Sequence, residues 1–116
     1  MTAIDYFANT ETVRIVTERA DGGEVVTPIW SVVVDGVPYI RSAYGPDSKW
    51  YRRVQRAGRA LFDGDERYLV TIDNVDDETT VGKVDDAYRA KFAGSPYLSD
   101  LLAPEIRALT MRLTPR

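Results

Sequence analysis

The chemistry open to this sequence rests on few side-chain types. The chain contains no His and no Cys. That excludes imidazole acid–base catalysis, thiolate nucleophiles, disulfides and the familiar His/Cys metal sites. Carboxylates, Lys, Arg, Tyr, Ser and Thr remain, so such a chain either performs no chemistry or borrows it from a bound cofactor. The most suggestive arrangement is Arg41-Ser42 at the end of a β-like run, followed by Ser48-Lys49 at the start of a helical one. Free N–H groups at a helix start, the positive end of its dipole, hydroxyl donors and a guanidinium all favour a small anion such as phosphate. Gly45 between them either lets backbone approach that anion or makes a turn.

The charge distribution points the same way. Net charge is −3, yet residues 41–59 hold six cations (Arg41, Lys49, Arg52, Arg53, Arg56, Arg59) against Asp47 alone. A concentrated positive site on an acidic chain suits a small anion better than a polyanion, so nucleic acid is not an expected partner. Arg52 and Arg56 read equally well as a solvated helix face, paired with the acidic segment around residues 71–86 or with a partner subunit. Asp73–Glu78 is acidic but lacks the ligand spacing of an EF-hand loop, so no metal is expected. Trp30 and Trp50 are the best stacking surfaces for a planar ligand, and core packing is the alternative for each.

These residues need a frame. At 116 residues, with 44% apolar and 28% charged content, the chain reads as one globular domain, 1–116. It has no apolar run of membrane-spanning length and no leader pattern, which points to a cytoplasmic protein. The spacing predicts a short helix over 3–8 and a strand over 13–19. A longer strand over 25–34, interrupted by Pro28, and a third over 38–42 follow through the turns Asp21-Gly22-Gly23 and Asp35-Gly36. A helix over 49–58 places Trp50, Val54 and Ala57 on one face and Arg52, Arg53 and Arg56 on another. Strands over 59–62 and 67–75 come next, then a surface loop over 73–78, a helix over 84–92 and a helical turn over 97–102. Alternation over 106–113 predicts a last strand. The sum is a mainly β, antiparallel domain with two or three helices.

The order of these pieces resembles a known superfamily. Thr27-Pro28-Ile29-Trp30, Asp35-Gly36, Tyr39-Ile40-Arg41-Ser42, Gly45 and Ser48-Lys49-Trp50-Tyr51-Arg52 are similar to the core of the flavin-binding split barrels. These include pyridoxamine-phosphate-oxidase-like proteins and, nearer in pattern, the deazaflavin-dependent nitroreductase type. The match is nearest to a small uncharacterised bacterial family, whose later marks are Asp85-Asp86-Ala87-Tyr88-Arg89-Ala90-Lys91-Phe92 and Thr110-Met111-Arg112-Leu113-Thr114-Pro115. The resemblance implies a six-stranded antiparallel split β-barrel, commonly a homodimer, binding FMN or a deazaflavin. It implies Thr27, Pro28, Ile29 and Trp30 against the ring, and Arg41, Ser42, Ser48 and Lys49 at the cofactor phosphate. Trp50 packs beside that site and Arg53 joins it. The implied activity is hydride transfer to a small organic acceptor.

Two alternatives stay open. Arg19-Ala20-Asp21-Gly22-Gly23-Glu24, with one cation and two acids, is unfavourable for a polyanionic cofactor tail. It favours a non-catalytic split-barrel module that binds another small anion. The basic helix face favours instead a dimeric interaction domain that docks an acidic partner.

Overall fold

The computed structural model describes residues 2–116, and among these the chain forms six strands and five helices. The strands are β1 (Thr12–Glu18), β2 (Glu24–Val34), β3 (Val37–Ile40), β4 (Arg59–Asp63), β5 (Arg67–Asn74) and β6 (Met111–Pro115). The helices are α1 (Ala3–Asn9), α2 (Lys49–Ala57), α3 (Glu78–Lys91), α4 (Leu98–Leu101) and α5 (Pro104–Arg107). The strands close into a barrel in the order β1-β2-β3-β6-β5-β4, every neighbouring pair antiparallel. The antiparallel six-stranded barrel expected from the sequence is the observed fold.

Period-two alternation fills the barrel. Val13 and Ile15, Ile29, Ile40, Phe62, Val70 and Ile72, and Met111 and Leu113 bring one cluster together from all six strands. Tyr6 and Phe7 of α1 and Trp50 and Val54 of α2 pack into the same cluster. A second cluster lies between the other face of β2 and β3 and the later helices, built on Val32, Tyr39, Val84, Tyr88, Leu101 and Ile106. No helix is long and apolar enough to cross a membrane among the described residues.

Four local expectations are corrected. The acidic stretch 73–78 is not a free loop: β5 runs to Asn74, and Asp77 caps α3 by accepting from the Thr80 N–H at 2.9 Å. That helix therefore starts at Glu78 rather than Val84. The stretch 106–113 is not one strand, because Pro104 opens a helical turn through Arg107 and the strand begins at Met111. The single turns α4 and α5 raise the helix count to five.

Candidate functional site

Among the described residues, two of the clefts on the barrel bear on function. The larger, of about 390 Å³, is lined from β2 by Thr27, Pro28, Ile29 and Trp30 and from α2 by Trp50. The loop after β3 contributes Arg41, Ala43 and Tyr44, and the segment around α4 contributes Tyr97, Asp100 and Leu101. Its walls are mainly apolar and aromatic. Tyr44 is 91% exposed and Tyr97 65% exposed, so two large aromatic rings stand in solvent.

The wall residues are held firmly. Trp30 stacks on Phe92, with ring centroids 4.0 Å apart and planes 6° from parallel. Its carbonyl accepts from the Tyr88 hydroxyl at 3.1 Å. Burial pushes the Tyr88 phenol well up, so this donor keeps its proton. Trp50 is carried by α2, whose apolar stripe turns it into the core, where it is almost fully buried.

Arg41 has a different task from the one its position suggested. Its side chain is fully buried, and Nη1 lies 2.7 Å from Asp85 Oδ1. Nε donates to Thr110 Oγ1 at 2.9 Å, Nη1 to the Leu101 carbonyl at 2.9 Å and Nη2 to the Val81 carbonyl at 3.1 Å. Asp85 is shared with Arg107, whose Nε donates to Oδ2 at 2.7 Å, and Arg107 reaches Glu78 at 2.6 Å. The guanidinium thus borders the cleft with its charge already matched, and it ties the end of β3 to α3 and α4.

Of the ten residues expected at a cofactor site, Thr27, Pro28, Ile29, Trp30, Arg41 and Trp50 come together in this cleft. Ser42 and Ser48 meet each other instead, their hydroxyls 3.1 Å apart, and Ser42 donates to the Gly45 carbonyl at 2.6 Å. Lys49 is exposed at the first turn of α2, where no side chain caps the free N–H groups. An anion there would meet open donors, the helix dipole and one ammonium. Arg53 lies apart: it lines the second cleft, of about 280 Å³, and donates to Thr17 Oγ1 at 3.4 Å.

Sequence reasoning missed Tyr44, Tyr97 and Asp100. The signal for the tyrosines was their setting, Tyr44-Gly45-Pro46 and Ser95-Pro96-Tyr97, since an aromatic in a turn-rich loop has little core to enter. Asp100 gave none. Among the described residues no group of three or more carboxylates could hold a metal ion.

The geometry is a cleft with mainly apolar and aromatic walls, with an uncapped helix start adjoining it in the chain. Comparisons with known proteins agree on the frame. A family model described as "Uncharacterized protein conserved in bacteria (DUF2255)" matches residues 3–113. The conserved hypothetical protein Rv2991 from Mycobacterium tuberculosis superposes with a TM-score of 0.74 at 17% identity, over 100% of this chain and 81% of that one. HutZ, the heme storage protein from Vibrio cholerae, gives 0.71 at 11% identity, over 97% and 86%. An F420-H2 dependent reductase, FDR-A, gives 0.65 at 16% identity, over 89% and 93%. No curated protein matches the chain. At identities this low, the superpositions show a shared split-barrel fold alone.

Proposed function

The chain belongs to the bacterial DUF2255 family, and from that premise we propose that its larger cleft binds a flavin, FMN or a deazaflavin, in an oxidoreductase-like role with a small organic acceptor. The observation that carries this reading is the cleft itself: the Thr27–Trp30 segment and Trp50 line a slot of about 390 Å³, within the range of small-molecule sites. The adjoining start of α2 is uncapped and carries Lys49. The cofactor would supply the hydride chemistry that a chain without His and Cys lacks.

The chain's own residues divide the work of holding it. Thr27, Pro28, Ile29, Trp30 and Trp50 shape the ring slot. Lys49 and the first N–H groups of α2 receive the phosphate, with Ser42 and Ser48 ordering the loop before them. Arg41 acts as a positioning residue, because its bond to the Leu101 carbonyl fixes one wall. Tyr44 and Tyr97, exposed in the single chain, suit a cleft completed by a second copy, as in a homodimer.

The test is the absorption spectrum of freshly purified protein, followed by fluorescence titration with FMN and with F420. A flavin-like band or saturable quenching is expected. Lys49→Ala is expected to weaken binding about tenfold, roughly 1.4 kcal/mol, with Tm unchanged. One observation favours a second reading: Arg41 is already neutralised by Asp85 while Asp100 lines the cleft. That balance suits a non-catalytic module for another small ligand. A colourless protein that binds neither cofactor would decide for that reading.

A further inference from the structure

The second cleft has a different chemistry. Strands β1 and β4 pair at Ile15↔Phe62 and Val16↔Leu61, and the cleft opens beyond them, between Thr17 and Glu18 on one side and Arg59 and Ala60 on the other. Arg53 of α2 reaches into this gap. It is half-buried, its one hydrogen bond is the long contact to Thr17, and no carboxylate lies within ion-pair distance among the described residues. A guanidinium carries five N–H donors, so most of Arg53's are without a protein acceptor. The Thr17 oxygen accepts from Arg53, which leaves its own proton to donate to a ligand. Arg67 shows the contrast: it holds Glu24 through two contacts of 3.0 and 3.2 Å.

A half-buried, unpaired guanidinium is costly to desolvate, and an incoming anion would repay that cost. Val54, Leu61 and Leu69 form an apolar part of the lining, beside the charged pair Arg53 and Arg59. Glu18 and Glu24 also line it. Glu24 is already paired, but the Glu18 carboxylate remains and weighs more heavily against a dianion than a monoanion. The cleft's volume is about 280 Å³, on the scale of a small organic acid. We propose that this cleft binds a small organic monocarboxylate, its carboxylate on Arg53 and Thr17 and its apolar body against Val54, Leu61 and Leu69. The site is separate from the larger cleft and does not depend on the flavin reading.

The experiment is an amide NMR titration of the labelled protein with hexanoate, benzoate and inorganic phosphate at constant ionic strength. Saturable shifts are expected at Thr17, Arg53, Ala57 and Arg59 with the two carboxylates. Arg53→Gln is expected to weaken them at least tenfold while the remaining spectrum stays in place. Leu69→Asp, at an exposed position on the rim, is expected to abolish them in a folded protein. Any of three results would overturn the proposal: no saturable shift at these amides, shifts centred on Thr27–Trp30 instead, or an affinity indifferent to both substitutions. Phosphate binding as tightly as hexanoate would overturn the monocarboxylate assignment.

Discussion

At the residue scale, the decisive pair is Arg41 and Asp85. Both are buried, and the carboxylate is the counter-charge that lets a guanidinium sit there at all. Removing one partner of a buried pair leaves the other charged and desolvated. Asp85→Asn is therefore expected to cost about 3–5 kcal/mol, measured by urea unfolding. Arg41→Lys should also be poorly tolerated, because one ammonium cannot reproduce a planar fork that reaches Asp85, Thr110, Leu101 and Val81 at once. If Asp85→Asn left stability within 1 kcal/mol of the parent, the chain from Arg41 through Asp85 to Arg107 would be ornamental. This is also where the sequence was least readable. An arginine at a strand end beside a serine looks the same whether it waits for a ligand or plugs into the protein. The difference is made by an aspartate on a distant helix.

At the element scale, α2 is the piece whose sequence said most. Its apolar stripe, basic face and end were all legible, since Trp50 and Val54 must turn inward and Gly58 follows at the C-cap. Gly58 has φ of 71°, and its N–H bonds the Val54 carbonyl. A Cβ there would meet nothing within 4 Å, so the cost of adding one is backbone conformation and not crowding. Gly58→Ala is expected to destabilise by about 1 kcal/mol in chemical denaturation, and Gly58→Asn by less, because Asn tolerates the left-handed region. Equal losses would mean that the glycine serves packing instead. The start of α3 was harder to read for the opposite reason. Glu78-Thr79-Thr80-Val81-Gly82 combines β-branched residues with glycine, both weak helix formers. The helix exists because Asp77 caps it and because Val81, Val84 and Tyr88 bury against β2 and β3. Tertiary burial overrode propensity there, and in the 106–113 stretch a proline-opened turn interrupted an alternation that was otherwise strand-like.

At the scale of the whole molecule, the barrel, α1 and α3 meet at one ammonium. Lys91 Nζ donates to the carbonyls of Ser31 at 2.7 Å, Thr10 at 2.8 Å and Phe7 at 3.0 Å. Burial pulls this lysine down to about 8, against the pull of nearby Glu11 in the other direction. The native state therefore holds its proton less tightly than the unfolded chain does. Below about pH 8 both states are protonated and the penalty of burying the charge is present in full. Between about 8 and the ordinary lysine value of 10.5, the unfolded state binds more protons, so stability rises with pH through that window. The neutral amine keeps two N–H donors, so most of the tie survives deprotonation. Above pH 10 the buried phenols of Tyr68 and Tyr88, both raised by desolvation, turn the slope downward. Urea unfolding from pH 7.5 to 9.5 should accordingly show rising stability in the parent and a flat profile in Lys91→Met. A parent profile already flat in that range would mean that the three carbonyls hold the ammonium as well as water does. The junction would then be a fixed strut rather than a titrating one.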